Sequence, residues 1–213
     1  MADATDNQEG GDGAVPVKSF HHGDLRQALL AAAEDILDTE GIAALTLRAA
    51  ARAVGVSHAA PKNHFGDMTG LLSDLAAIGY DRFSDQLSVS AQSQETPKTR
   101  LLAIGHAYVD FAEAFPGLFL LMFRSERLDL SRPRLKDAMD RAFEVLQRSV
   151  THAEIEPSAS SPIKMAAKVT RAWAVAHGLA MLQLDHRLAR IVSVLPTGTS
   201  PHDLVAAVLE LDA

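Results

Sequence analysis

Polar side chains crowd one short stretch of this 213-residue chain, between residues 57 and 64. They are Ser57, His58, Lys62, Asn63 and His64. Hydroxyl, imidazole, amide and ammonium groups all bond to the edges of bases or to phosphate oxygens. Within the stretch, Ala59 and Ala60 allow a close approach of the backbone, and an alanine methyl can contact a thymine methyl. These residue types predict contact with a nucleic acid.

The charge of the surrounding segment points the same way. The window from Thr46 to Gly66 contains Arg48, Arg52 and Lys62 but no Asp or Glu, whereas the whole chain has a formal net charge of −7. A cationic segment in an acidic protein favours a polyanionic partner, since phosphate contacts dominate affinity for nucleic acids. We therefore add Thr46 and Arg48 to the candidate DNA-binding residues.

Two short helices around a tight corner would position these side chains. Small and apolar residues share one face of the first helix: Leu47, Ala50, Ala51 and Val54. Gly55 can take the positive φ that the corner requires, and Ser57 is placed to N-cap a second helix that runs from His58 to about Phe65. This is a helix-turn-helix pattern, whose second helix commonly lies in the major groove. An ordinary helical hairpin without a DNA role is the alternative.

The rest of the chain has the periodicity of further helices and little that is typical of strands, so the predicted fold class is all-α. An upstream helix is expected to end near Gly41, and a long helix restarts near Thr69. Later helices are expected at about 97–114, 117–127, 133–151, 162–190 and 201–211. Three of their starts place a hydroxyl residue before proline, the pattern of a capped first turn. These are Thr96-Pro97, Ser161-Pro162 and Ser200-Pro201.

The N-terminal helices resemble those of the tetracycline-repressor (TetR/AcrR) family of bacterial regulators. The residues that carry the resemblance are Gly23-Asp24-Leu25-Arg26, Gly41, Leu45-Thr46-Leu47-Arg48, Ala51, Val54-Gly55-Val56-Ser57, His64-Phe65 and Leu71-Leu72. The resemblance implies a three-helix helix-turn-helix DNA-binding domain followed by a helical ligand-binding and dimerisation domain. It also implies a ligand-responsive repressor that binds a palindromic DNA operator as a homodimer and is released by a small molecule.

Two positions depart from the family pattern. An aromatic residue, usually Tyr, is common in the family where this chain has Lys62, and a Lys is common where it has Met68. Both family residues usually contact phosphate. Lys62 can still do so as a point charge, whereas Met68 cannot, and we expect DNA binding to persist with an altered phosphate grip. The alternative is a helical dimeric protein that binds a partner or ligand and has weak or lost DNA binding.

A second resemblance lies near the C-terminus, where Trp173 is followed by His177-Gly178-Leu179-Ala180. This looks like the Trp…His-Gly signature of one class of regulatory domain within the family. Trp173 and His177 are therefore candidate ligand-binding residues. The signature implies that the C-terminal half senses the small molecule.

Four phenylalanines spaced by four residues complete the candidate ligand-binding set: Phe111, Phe115, Phe119 and Phe123. Pro116-Gly117 breaks the helix among them. Aromatic side chains around a helix break can line an apolar cavity, so the predicted effector is apolar or aromatic. Plain core packing is the alternative explanation.

Small and apolar residues also follow the last two long helices. They are Met165, Val169, Trp173, Ala176, Ala180 and Gln183, with Leu204, Val208 and Leu211. In the resembled family such helices pair with their copies in a second subunit, although an intrachain core explains the pattern equally well. A two-fold dimer would place two reader helices about 34 Å apart, one turn of DNA.

Composition limits the other function classes. The chain has no cysteine, which excludes disulfides, cysteine-ligated zinc and thiol catalysis. It lacks a membrane-length apolar run and the phosphate-loop, zinc-protease and nucleophile-elbow motifs. We therefore predict a cytoplasmic protein that is not an enzyme and holds no cofactor or metal. Residues 1–17 have the composition of a disordered arm, and the DNA-binding and regulatory domains are placed at 18–68 and 69–213.

Overall fold

The computed structural model describes residues 22–152 and 161–211. The predicted arm at residues 1–17 lies outside the described residues. The helices are α1 (His22–Thr39), α2 (Leu47–Val54), α3 (Ala60–Phe65), α4 (Met68–Gln92), α5 (Pro97–Ala114), α6 (Pro116–Met122), α7 (Pro133–His152), α8 (Pro162–Leu184), α9 (Arg187–Val192) and α10 (Pro201–Leu211). A short 3₁₀ turn, Ser125–Arg127, precedes α7. These two ranges contain no strand, and the all-α fold class is confirmed.

Capped helix starts form where hydroxyl residues precede proline. The Thr96 hydroxyl accepts the backbone N–H of Thr99 at 3.2 Å, and the Ser161 hydroxyl caps α8 in the same way. At α10, the Ser200 hydroxyl accepts the Asp203 N–H at 3.1 Å. The Asp203 carboxylate accepts the Ser200 N–H in return. Each cap satisfies an N–H that has no partner within its helix, which confirms these three predicted starts.

Two predicted helices were too long. α6 ends at Met122 instead of continuing to residue 127, and only the 3₁₀ turn follows it. α8 ends at Leu184 instead of 190, because His186 adopts a φ of 55° in the left-handed region. An α-helix cannot continue through that conformation, and the chain starts the separate helix α9.

A single continuous core joins the two predicted domains. Leu29 of α1, Leu75 of α4 and Phe119 of α6 are fully buried members of the same cluster. α4 runs through its centre, packed against α5, α6 and α7. No helix among residues 22–152 and 161–211 has both the length and the apolar character of a membrane span. α4 and α6 therefore connect the N-terminal helices to the larger C-terminal bundle.

Candidate nucleic-acid interface and effector cavities

The corner between α2 and α3 forms as its sequence predicts. The Thr46 hydroxyl caps α2 by accepting the Ala49 N–H at 3.0 Å. Gly55 ends α2 with a φ of 76°, and its N–H bonds to the last carbonyls of the helix. A Cβ at Gly55 would meet no atom within 4 Å. Glycine is therefore required by the left-handed backbone and not by lack of space.

The second helix starts later than predicted, and Ser57 does not cap it. α3 begins at Ala60, its N-cap is Ala59, and no side chain caps the helix. The Ser57 carbonyl accepts the Ala60 N–H at 3.0 Å, so a turn precedes the helix. Pro61 is the second residue of α3 and is buried. The predicted N-cap and the predicted start at His58 were wrong.

Seven of the nine predicted DNA-binding residues are exposed side by side in this corner. They are Thr46, Arg48, Ser57, His58, Ala59, Lys62 and Asn63. Ala60 and His64 are half-buried, and the His64 ring lies 6.2 Å from the Phe65 ring. Arg52 is exposed as well, and the segment 46–66 contains no acid. We call this surface the cationic corner; it presents hydrogen-bonding groups and positive charge to solvent.

The cationic corner is held from behind by α1 and α4. Phe65 at the end of α3 is buried, with the Arg26 guanidinium 5.5 Å from its ring centre. A Cβ at Gly70 of α4 would lie 2.0 Å from the Phe65 carbonyl oxygen, so the α4 backbone approaches the end of α3 closely. Met68, the departure from the family pattern, packs half-buried against the core. The direction of α3 is thus fixed by packing.

Two mainly apolar cavities open into the C-terminal bundle of the described chain. The aromatic cavity, of about 240 Å³, is lined by Tyr80, Phe83, Leu87, Tyr108, Phe123, Met139, Asp140, Ala142, Phe143, Leu146 and Trp173. The aliphatic cavity, of about 490 Å³, is lined mainly by Leu, Ile, Val and Ala, with Lys168 and Arg171 as its charged residues. Tyr108 and Leu146 belong to both walls. The two spaces are therefore neighbours across one tyrosine.

Trp173 and His177 both bond to that tyrosine. One turn apart on α8, they meet the buried phenol of Tyr108: the indole N–H donates to its oxygen at 3.2 Å, and Nδ1 of His177 lies 3.0 Å away. The Tyr108 oxygen accepts the indole N–H, and its own proton is donated to Nδ1 in the tautomer that carries the imidazole proton on Nε2. Burial raises the pKa of Tyr108 and lowers that of His177, so both groups stay neutral near pH 7.

The predicted ligand-binding residues divide between cavity wall and core. Phe123 and Trp173 line the aromatic cavity, and His177 packs against Phe123 with ring centres 4.5 Å apart. Phe111 and Phe119 are fully buried and, like half-buried Phe115, line neither cavity. Their contact with a ligand stays a prediction.

Sequence reasoning missed Asp140 and Phe143, which line the aromatic cavity from α7. They lie three residues apart and therefore share a face of that helix. The sequence does not show that this face lines a cavity, because that depends on how α7 packs on α4.

A surface cluster of two acids and a histidine was also not predicted, because the nine histidines are scattered along the sequence. Asp110 and Glu113 of α5 meet His202 of α10, with ligand atoms within 4.8 Å of one another. Nε2 of His202 lies 3.2 Å from the Asp110 carboxylate. All three side chains are exposed, and they form an ion-pair cluster when His202 is protonated.

Comparison with known proteins agrees with this architecture. The profile of a family described as Tetracyclin repressor-like, C-terminal domain, matches residues 101–208. YobS of Bacillus subtilis, an uncharacterised HTH-type transcriptional regulator, is 28% identical over 49% of this chain and 56% of its own length. The chain thus aligns with little more than half of that relative. The match does not single out the Trp…His-Gly signature, whose assignment stays a prediction.

Solved structures extend the likeness to most of the chain. A Rhodococcus sp. RHA1 protein of unknown function is 30% identical, with a TM-score of 0.76 over 92% of this chain and 97% of that one. The regulator FadR of Bacillus subtilis, solved with stearoyl-CoA, shares the fold with a TM-score of 0.63 at 12% identity, over 88% and 97% of the two chains. Family profile, relatives and fold agree, and the chain belongs to the tetracycline-repressor (TetR/AcrR) family of transcriptional regulators.

Proposed function

We propose that this regulator is a repressor that binds a palindromic DNA operator as a homodimer and leaves it when a small apolar or aromatic molecule occupies the C-terminal bundle. The cationic corner is the DNA-reading surface. Asn63 enters the major groove, and Lys62, Arg48 and Thr46 contact the flanking phosphates.

The observation that carries the proposal is the exposure of Lys62 and Asn63 on α3. A six-residue helix offers few polar side chains, and these two reach solvent while Pro61 and Phe65 of the same helix are buried. Positive charge without any acid between residues 46 and 66 suits phosphate oxygens. The Asn63 amide suits the major-groove edge of adenine, and the Lys62 ammonium suits a phosphate.

Support for a homodimer comes from an apolar surface on the outer side of α8. Ile163 is 76% exposed and Leu182 37% exposed, and a Cβ at Gly178 would meet nothing within 4 Å. Leu211, on neighbouring α10, is 87% exposed. A second copy seated here would cover these side chains and present two copies of α3 to one face of the duplex.

Support for an effector comes from the two cavities. Concave, mainly apolar spaces with few polar groups are the usual form of a small-molecule site. The aromatic cavity lies between α4, α5, α7 and α8, and the aliphatic cavity lies between α5, α7, α8 and α10. Helix α4 also places Gly70 against the end of α3. A ligand that moves α4 would therefore move the DNA-reading helix. The structurally similar FadR was solved in complex with a small molecule, stearoyl-CoA.

Selection from a pool of random duplexes tests the DNA-binding proposal. The full chain is expected to retain a palindromic sequence at low salt and to lose it steeply as salt rises. The double variant Lys62→Glu/Asn63→Ala should retain none, whereas Lys98→Glu, an exposed lysine of α5, should select the same palindrome. Failure of the wild-type chain to enrich any sequence at low salt would contradict the proposal.

A further inference from the structure

The aromatic cavity gathers more than half of the aromatic residues of this chain. The sequence has eight Phe, two Tyr and one Trp, and six of them line this space: Tyr80, Phe83, Tyr108, Phe123, Phe143 and Trp173. Phe143 and Trp173 are 48% and 41% exposed, so two large rings stand at the solvent side of the cavity. The space of about 240 Å³ lies below the usual range of roughly 300–1,000 Å³. It fits a compound of two or three rings.

The neutral polar groups of this wall are already engaged. The Tyr80 hydroxyl donates to the Met122 carbonyl at 2.8 Å, and burial raises the pKa of Tyr80 to about 12. The Tyr108 hydroxyl and the Trp173 indole N–H bond to each other, and the remaining contact of Tyr108 is His177. An occupant therefore meets ring faces and edges in place of neutral hydrogen-bonding groups.

Among the residues that the structure describes, Asp140 is the one charged residue in the wall of the aromatic cavity. Its Oδ2 lies 2.9 Å from the Lys136 ammonium, but both side chains are well exposed, 62% and 66%, and such pairs are weak. No Lys or Arg is among the residues that line this cavity, whereas the aliphatic cavity has Lys168 and Arg171. The two neighbouring spaces therefore differ in the charge of their walls.

We propose that the aromatic cavity binds flat aromatic cations of two or three rings, with the rings against the aromatic wall and the positive charge toward Asp140. Aromatic faces carry a negative quadrupole that attracts cations, and the single carboxylate adds a direct electrostatic preference. This proposal rests on the proposed effector control, since it names the chemical class of its ligand.

Three probes of matched shape test the charge preference: N-methylquinolinium as the cation, methylnaphthalene as its neutral counterpart and naphthoate as the anion. Isothermal titration of the full chain gives the affinities. Trp173, the single tryptophan of the chain, reports occupancy of the cavity by its fluorescence. We expect the cation to bind about tenfold more tightly than the neutral probe and to change Trp173 emission.

Two variants of α7 separate the carboxylate from the general charge of that helix. Asp140→Asn should remove most of the preference for the cation and leave the affinity for methylnaphthalene unchanged. Asp137→Asn, an exposed acid that lines neither cavity, should keep the wild-type preference. Both positions are exposed, so neither substitution disturbs the core.

Three results would overturn the inference: equal or tighter binding of the neutral probe, tightest binding of naphthoate, or no binding of the cation. None of them bears on the DNA-binding proposal, because duplex selection is carried out without any probe. Conversely, a chain that binds N-methylquinolinium but enriches no duplex would contradict the proposed regulator and leave the cavity assignment intact.

Discussion

Lys62 stands on the exposed side of α3 at a position where related regulators commonly have an aromatic residue. Its ammonium group is a hydrated point charge on a flexible stem, so in the proposed complex it contacts a phosphate without fixing one geometry. An aromatic hydroxyl at this position would instead be rigid. We therefore expect the lysine to change the geometry of the phosphate contact and to keep the contact itself.

Lys62→Ala tests this assignment at the level of one charge. Loss of a single phosphate contact should weaken binding to all sequences by a similar factor and reduce the slope of log K against log salt by about one. Equilibrium binding to the selected operator and to an unrelated duplex, across a salt series, gives both quantities. Lys98→Ala is the matched control. A change in base preference would show that Lys62 reads bases.

His177 is a neutral imidazole held between Phe123 and Tyr108. Burial lowers its pKa below the ordinary value of 6.5. The unfolded chain then takes up the proton near pH 6.5, whereas the folded chain takes it up only at lower pH. Between these two values the unfolded state binds more protons, so stability decreases as the pH falls.

The melting temperature should therefore decrease as the pH is lowered from 7.5 through 6.5, until the folded chain is itself protonated. His177→Gln keeps a hydrogen-bond acceptor for Tyr108 but cannot titrate. The melting temperature of this variant should therefore decrease less over the same pH range. Thermal denaturation of both proteins at matched ionic strength measures the difference. Parallel pH profiles would show that His177 makes no contribution.

The residues of the cationic corner could be named from the sequence because they are local. Gly55 and Thr46 act within a few residues of themselves, as corner and cap. The position of Asp140 at a cavity could not be predicted, since it depends on neighbours that are distant in the sequence. Its significance comes from aromatic rings on α4, α5 and α8.

At the scale of elements, α1 is attached to the C-terminal bundle along its length. Arg26 forms an ion pair with Asp74 of α4 at 2.7 Å, and Arg132 forms a second ion pair with Asp74 at 3.5 Å. Further along α1, Glu34 forms an ion pair with Arg82 of α4. These contacts join the N-terminal helices to α4, which also lines the aromatic cavity.

Asp74→Asn tests the ionic part of this attachment. The Asp74 side chain is only 5% exposed, and removing its charge leaves two arginines without their partner. The free energy of unfolding should fall by about 2 kcal/mol. Glu144→Gln, which breaks the exposed pair with Arg148, should cost less than about 0.5 kcal/mol. Equal losses in urea denaturation would show that burial of the Asp74 pair adds nothing.

Helix starts marked by a hydroxyl residue before proline were predictable, whereas the start of α3 and the end of α8 were not. Thr96 and Ser161 start their helices through side-chain bonds that any sequence window contains. The end of α8 depends on His186 in a left-handed conformation, which neither glycine nor proline marks. The late start of α3 likewise depends on a turn after Ser57 that carries no strong sequence signal.

At the scale of the whole molecule, α8 has two different faces. Val169, Ala176 and Ala180 are buried in the core of the chain itself, so this part of the predicted stripe packs within one subunit. The outer face carries Ala174 and Gly178 beside exposed apolar residues of α8 and α10. Sequence periodicity could not separate the two faces, since both are apolar.

Ala174→Glu should disrupt the proposed homodimer. A carboxylate at this exposed position costs a monomer little, but it would be buried without a partner when two copies of α8 meet. Sedimentation equilibrium should show a monomer, and affinity for the palindrome should fall strongly. Ala31→Glu, exposed on α1, should leave the dimer intact. A dimeric Ala174→Glu protein would place the subunit interface elsewhere.

The most direct measurement uses the absence of cysteine from this chain. Thr69→Cys provides a unique attachment point for an iron-chelate group that cleaves DNA nearby, at an exposed position four residues after the end of α3 and outside the cationic corner. We expect two symmetric cleavage patches on the selected operator, about one helical turn apart. Gln147→Cys, at an exposed position of α7, should give none. Operator binding without cleavage from position 69, or with equal cleavage from position 147, would contradict the claim that α3 enters the groove.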